Sequence, residues 1–252
     1  MAGRISEDFI NEVRGSVNIV DVISQYVSLE KRGKDYKFIM EKEEVTFPES
    51  VERVAEFANI PMPQEYQEQP VKLNPLMQMH KEAADFYQQV LMTTKIGERG
   101  LEYARKRGLD DDLLKHFKIG YAPGKSVLLL TYLRGEGYTD NQLAESGLFV
   151  KSQDGRLFDR FRDRLMFPMS DESGHLVAFS GRRISDDPEE PKYLNSPETS
   201  IFNKSDLLFH FSEAKKHARK EGHLVLFEGH MDVISAYKAG VKTGIASMGT
   251  SL

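Results

Sequence analysis

Leu224-Val225-Leu226-Phe227-Glu228-Gly229, followed by His230-Met231-Asp232-Val233-Ile234-Ser235-Ala236-Tyr237-Lys238-Ala239-Gly240, decides how the C-terminal part of the chain folds. Four apolar residues bounded by Gly222 and Gly229 read as a short strand buried on both faces. Gly229 permits a tight turn. Val233, Ile234 and Tyr237 then recur at helical spacing, and Gly240 is placed to end that helix in a left-handed conformation. The unit is strand, turn, helix, with Glu228 at the carboxyl end of the strand, the edge where ligands bind in open α/β sheets. Ile245-Ala246-Ser247-Met248 reads as the next parallel strand. A solvated loop carboxylate at Glu228 and a helix-favouring Asp232 would give the same letters.

Composition narrows the classes. The 252 residues are 40% hydrophobic, enough for one large domain or two modest ones. No apolar run reaches membrane-spanning length, and the first residues lack the apolar core of a signal peptide, so a cytoplasmic protein is expected. Zero Cys excludes disulfides and thiolate metal sites, and the seven His show no HxxxH pairing. Net charge is −5, which argues against nucleic acid only if the charge is evenly spread. It is not: Arg156, Arg160, Arg162, Arg164, Arg182 and Arg183 fall within one short stretch.

Working outward, Ser6 is a plausible cap for a helix using Phe9, Ile10 and Val13, and Asn18 or Asp21 starts another. A further helix opens at Phe47-Pro48-Glu49-Ser50. This small helical module occupies residues 1–60. Pro61, Pro63, Pro70 and Pro75 among Gln and Glu mark 61–75 as a linker. Residues 76–215 are first helical, with Asp110 as a cap for Leu113 and Leu114, and then strand-like. Asp154-Gly155 signals one hairpin, and Asp171-Glu172-Ser173-Gly174 separates the strands of a second. Pro168 places the first strand of that pair at an edge or bulge. A helix near 211–220 leads to the opening strand, so 216–252 is the α/β part. The fold expected is α+β and α/β: a small N-terminal helical module, a helical plus mixed-β basic subdomain, and the start of an α/β domain.

Arg160-Phe161-Arg162-Asp163-Arg164 alternates like a strand, putting three guanidinium groups on one face and Asp159 and Asp163 on the other. That spacing suits a phosphate backbone, and equally a solvated edge strand blunted by charge. Gly181 before Arg182 would let a phosphate approach the backbone. Lys192, Asn195 and Lys204 lie in a loop-rich region that would hold triphosphates or simply be solvated.

Residues 224–229 with Met231-Asp232-Val233-Ile234 resemble the first acidic motif of the TOPRIM domain, shared by bacterial primases, topoisomerases and some nucleases. Ala246-Ser247-Met248-Gly249-Thr250-Ser251 continues that likeness in its bacterial-primase form. Residues 159–167, 179–182, 191–204 and 224–232, in that order, resemble the RNA-polymerase core of bacterial DnaG-type replicative primases. Lys106-Arg107-Gly108-Leu109, Ile119-Gly120-Tyr121-Ala122-Pro123 and the N-terminal stretch from Phe9-Ile10 to Lys31-Arg32-Gly33 extend it.

The resemblance implies a template-dependent RNA polymerase making short primers on single-stranded DNA from ribonucleoside triphosphates. It implies Glu228 as the catalytic, metal-binding acid with Asp232 supporting it, and Lys192, Asn195 and Lys204 near incoming nucleotides. Arg107, Arg160, Arg162 and Arg182 would line the groove for nucleic acid. Mg²⁺ or Mn²⁺ is the implied cofactor. A replicative helicase, reached through a C-terminal region absent here, is the implied partner, in a bacterial cytoplasm at the nucleoid and away from membranes. Another TOPRIM protein, or a non-catalytic fragment that binds single-stranded DNA, is the alternative. The family's zinc ribbon has no ligands in this sequence, which passes directly from Tyr36 to Lys37 between what look like the ribbon's flanks. The second acidic cluster would lie beyond Leu252, so the 252 residues alone are expected not to be fully competent.

Overall fold

The structure is a computed structural model that describes residues 6–16, 55, 60–61, 74–124, 127–187 and 189–247. The chain divides into two units, Met1–Lys72 and Leu73–Leu252. In the first, helix α1 (Glu7–Ser16) is capped by Ser6, whose Oγ accepts the Phe9 N–H at 3.3 Å, as the sequence predicts. Phe9 and Val13, four apart on one helical face, bury against Ala55. The helices predicted to start near residues 18 and 47, and the junction at Tyr36, lie outside the described residues.

The second unit opens with α2 (Pro75–Thr93). Asn74 accepts the Leu76 N–H at 3.0 Å, and Pro75 sits where a missing N–H costs nothing, so this proline begins the helix. Then come α3 (Glu98–Lys106), α4 (Asp111–His116), β1 (Gly120–Ala122), α5 (Leu128–Gly135) and α6 (Asp140–Glu145). Asp110 caps α4 through the Leu113 N–H at 3.0 Å. Strands β2 (Phe149–Lys151) and β3 (Leu157–Asp159) form the hairpin predicted from Asp154-Gly155, with Gly155 at φ 85°. Strands β4 (Arg164–Ser170), β5 (Leu176–Arg183) and β6 (Tyr193–Asn195) join β1 in an antiparallel sheet of order β1-β4-β5-β6.

This sheet is the middle layer of the unit. Leu165, Phe167 and Met169 enter one apolar core with Val90, Leu91 and Leu114, whereas Met166 and Phe179 enter a second with Met79, Ala83 and Tyr87. Alternate residues of β4 thus fill opposite cores, and helix α2 contributes to both. Close approach of α2 and β1 depends on Gly120, where a Cβ would stand 2.5 Å from the Tyr87 backbone. β4 is paired by both β1 and β5, yet at Pro168 it is locally an edge, and a bulge follows between Met169 and Ser170, in line with the expectation from the proline. Pro168 is tolerated because β1 pairs only with residues 164–166, leaving that side of β4 without a ladder partner at Pro168.

The last elements are α7 (Phe211–Glu221), β7 (Val225–Phe227), α8 (His230–Lys238) and β8 (Gly244–Ala246). β7 and β8 pair in parallel around α8, as predicted. Gly240 ends α8 at φ 99°. Its N–H donates to the Tyr237 carbonyl at 3.0 Å, and the Val241 N–H reaches the Ala236 carbonyl at 2.9 Å, a Schellman closure. The expectation that β7 is buried on both faces fails: Leu226 is 50% exposed and Leu224 39%. Among the described residues β7 pairs only with β8, and α8 covers one face. Phe209 and Ala246 exchange backbone hydrogen bonds of 2.8 and 3.2 Å, tying β8 to the segment before α7.

Candidate active site

Glu228 stands exposed at the carboxyl end of β7, and Asp232 is exposed in the first turn of α8. Gly229 between them is extended, at φ −132° and ψ 156°, so the turn does not require glycine's left-handed freedom. A Cβ at Gly229 would lie 3.5 Å from Asp232 Oδ2, which places the Asp232 carboxylate over the residue that follows Glu228. Two carboxylates are hard oxygen donors of the kind Mg²⁺ and Mn²⁺ take, and they fit such an ion as part of a donor set. Among the described residues no group of three or more His, Cys, Asp or Glu is disposed to hold a metal. With no Cys in the chain, a zinc ribbon's thiolates are absent.

Near His230, the residue that opens α8, is a guanidinium held by two phenols. Arg182 on β5 is 7% exposed; its Nε donates to the Tyr103 hydroxyl on α3 at 2.7 Å, and its Nη1 to the Tyr193 hydroxyl on β6. Cζ also lies 5.0 Å from the Tyr193 ring centroid. Nη2 has no hydrogen-bond partner among the described residues. His230, first in α8, packs its ring perpendicular to Tyr193 at 5.2 Å and at 4.1 Å from Phe167. Burial, then the charges of Arg182 and Arg107, hold the His230 pKa down at about 4, so the ring is neutral near pH 7. Arg107, exposed at the C-terminus of α3, is near enough to His230 for its charge to act on the ring.

The three arginines read as one face do not share one. Strand β3 stops at Asp159, and Asp163 takes a left-handed φ of 50°, which breaks the alternation before β4 begins. Asp159 is buried and accepts the Leu129 and Leu130 N–H groups at 3.0 and 2.9 Å, anchoring the start of α5. Burial pushes its carboxyl pKa up, opposed by those N–H bonds. Arg164, 4% exposed, is spent inside the protein on the Gly181 and Pro191 carbonyls at 3.2 and 3.0 Å and on Glu190 at 3.2 Å. Arg160 is half-buried and reaches the Asn195 carbonyl at 3.3 Å. Arg162 is exposed, with no hydrogen bond or ion pair among the described residues. Gly181 is not a phosphate gap: a Cβ there would meet Phe161 at 2.9 Å and Arg164 at 3.0 Å, so the protein's own side chains occupy that space.

The nucleotide-binding candidates are spread out. Lys192 is exposed next to Tyr193, and its carbonyl accepts the Arg183 N–H at 3.1 Å. Asn195 Oδ1 is buried without a partner beside Arg160, whose Nε is also unpartnered. Lys204 opens a 3₁₀ turn capped by Asn203 and makes no hydrogen bond to the other candidates. A cleft of about 360 Å³ next to that turn is rimmed by Asp171, Glu172 and Asp206, the wrong sign for a triphosphate. Sequence reasoning missed Tyr103, Tyr193 and His230 as parts of the site. Tyr103 lies 79 residues from Arg182, and the cross-strand pairing of Arg182 with Tyr193 is revealed only by register.

Residues 86–215 match the family model described as the DNA primase catalytic core, N-terminal domain. The chain belongs to the bacterial DNA primases. The DNA primase of Enterococcus faecalis is 42% identical over 299 positions that take in all of this chain and 48% of that protein. The chain thus spans about half the length of the curated primases it matches. As 299 positions exceed the 252 residues available, that primase carries residues within the matched span that have no counterpart here. The RNA polymerase domain of Mycobacterium tuberculosis primase DnaG, solved with a double-stranded DNA oligomer bearing a 6-nucleotide overhang, shares 34% identity and a TM-score of 0.66. That match covers 70% of this chain and 55% of the other. The zinc-binding and RNA polymerase domains of Aquifex aeolicus primase match 98% of this chain and 68% of their own, at 28% identity and a TM-score of 0.65. The mixed α/β fold is therefore that of primase RNA polymerase domains. Among the described residues no helix is long and apolar enough to cross a membrane.

Proposed function

We propose that the intact primase containing this chain synthesises RNA primers on single-stranded DNA, and that the Glu228 turn and the Arg182 pair form part of its polymerising centre. The carrying observation is that Arg182, fixed by Tyr103 and Tyr193, adjoins the His230 ring that opens the helix immediately after Glu228. On this reading β7, α8 and β8 begin a TOPRIM domain. The reaction joins a primer 3′-hydroxyl to the α-phosphorus of a ribonucleoside triphosphate and releases pyrophosphate. A divalent cation, Mg²⁺ or Mn²⁺, would supply charge neutralisation at the phosphates and activation of the hydroxyl. Glu228, assisted by Asp232, would hold it.

Arg182 has two of its N–H groups committed to phenols, so its plane is fixed and Nη2 remains to bind a phosphate oxygen. Arg107, Arg160 and Arg162 bring positive charge to the template strand, consistent with the overhang DNA carried by the M. tuberculosis domain. Lys192, Asn195 and Lys204 are assigned to the incoming nucleotide. We assign the zinc ribbon, whose counterpart is the zinc-binding domain of the A. aeolicus protein, to residues that relatives carry within the matched span and this sequence lacks, with the junction at Tyr36–Lys37 as its place, and the helicase contact to another part of the intact primase.

Glu228→Gln in the intact primase tests the assignment. The amide keeps the shape but weakens metal attraction, so primer yield should fall at least a hundredfold while single-stranded DNA affinity stays within twofold. Primer yield like wild type at ordinary Mg²⁺ would refute the catalytic role of Glu228.

A further inference from the structure

Little else ties the Glu228 turn to Arg182. Gly229 has no side chain to cap α8, and Glu228 makes no side-chain hydrogen bond or ion pair among the described residues. β7 is three residues long and half open to solvent at Leu226. One side chain next to Glu228 does reach across. His230 is 4% exposed, and its ring lies 4.1 Å from Phe167 on β4, 5.2 Å from Tyr193 on β6 and 5.8 Å from Phe209 before α7. Tyr193 in turn carries Arg182. The imidazole has no hydrogen bond to any described residue, and its Nε2 is buried without a partner. What the residue supplies at this position is therefore a flat ring of the right thickness, not a hydrogen bond.

We propose that His230 is a positioning residue, a ring wedged between Phe167 and Tyr193 that sets the distance from the Glu228 carboxylate to the Arg182 guanidinium. This rests on the functional reading above. Packing fixes such distances because a filled interior yields only by repacking. A nonplanar replacement moves Tyr193, and with it the hydroxyl that orients Arg182. It also lets the α8 N-terminus shift, so the Glu228 turn moves relative to Arg182. A misplacement of about 1 Å is enough to cost on the order of a hundredfold in rate.

Two variants of the intact primase separate shape from other roles. His230→Phe keeps a flat ring, and His230→Leu keeps much of the volume without planarity. Mn²⁺ binding is read from the electron paramagnetic resonance signal of free Mn²⁺, without nucleotide, alongside thermal unfolding and primer synthesis. His230→Phe should hold the Mn²⁺ dissociation constant and kcat within twofold of wild type. His230→Leu should raise the dissociation constant at least threefold and lower kcat about tenfold, with single-stranded DNA affinity unchanged. A Leu variant that only lowers the melting temperature would reduce His230 to a core residue and overturn the proposal. So would a Phe variant as impaired as Leu, since the imidazole nitrogens would then carry the role. If Glu228→Gln is fully active, the functional reading fails with it; if only the His230 results miss, that reading stands.

Discussion

The Tyr121 hydroxyl donates to Asp163 Oδ1 across 2.6 Å, and this bond fixes the corner at which the chain turns into β4. Arg99 holds the other carboxylate oxygen at 3.2 Å, and the Ile184 N–H donates to the Asp163 carbonyl at 3.3 Å. Asp163 has a φ of 50°, a conformation that Asp tolerates better than most side chains. Burial, followed by the Asp163 carboxylate, pushes the Tyr121 pKa up, so the phenol remains a donor throughout the working range. Asp163→Ala removes the acceptor and leaves a Cβ in the left-handed region without compensation. Urea unfolding should show a loss of about 2 kcal/mol, the scale of a hydrogen bond to a charged group. Asp163→Gly loses the same bond but relaxes the backbone, and should be the milder change. Equal losses for the two variants would show that the left-handed corner is not under strain.

That corner explains where the sequence could be read and where it could not. Local devices were legible, because the residues that make them are neighbours: the Ser6 and Asp110 caps, the Gly155 hairpin and the Gly240 helix end. The acidic strand end and its helix were legible for the same reason. Arg160 to Arg164 misled because alternation assumes an unbroken strand, and one left-handed residue at Asp163 cancels it. Gly181 misled because empty space beside a glycine looks the same in sequence whether phosphate or Phe161 fills it. Leu226 was misjudged since an apolar letter says nothing about how many neighbours cover it. The clamp of Tyr103 and Tyr193 on Arg182 spans 79 residues in one direction and 11 in the other, and emerges only from packing.

The same correction separates Arg162 from Arg164 in DNA binding. Arg162 is exposed and unpaired, so Arg162→Ala should lower the slope of log affinity against log salt by about 0.7, the release expected per phosphate of a single strand. Its stability should change by less than about 0.5 kcal/mol. Arg164 binds two carbonyls and Glu190 from inside the protein. Arg164→Ala should cost roughly 3 kcal/mol, because buried acceptors lose a charged donor, and should leave the salt slope unchanged. Fluorescence anisotropy across a salt series, paired with thermal unfolding, decides between them. An Arg164→Ala variant of native stability with a reduced slope would restore the single-face reading.

His80 on α2 is fully buried, stacked 5.8 Å from Phe179, with Nδ1 2.7 Å from the Leu76 carbonyl and Nε2 unpartnered. Burial lowers its pKa from 6.5 to about 4, only partly opposed by the bond to Leu76. The folded state therefore binds this proton less readily than the unfolded chain, and stability rises with pH across the interval between the two values. Above pH 6.5 the residue contributes nothing to the pH dependence. From pH 6.5 down to about 4 it removes stability progressively, by roughly 3 kcal/mol in all, and below pH 4 its effect levels off. His80→Phe keeps the stacking on Phe179 and has no proton to take up. Chemical denaturation at a series of pH values between 7 and about 4 should give a shallower decline for His80→Phe than for wild type, the two curves diverging as acid is added. Parallel curves would mean that His80 is protonated as easily inside the protein as outside it, and that α2 opens to admit the charge.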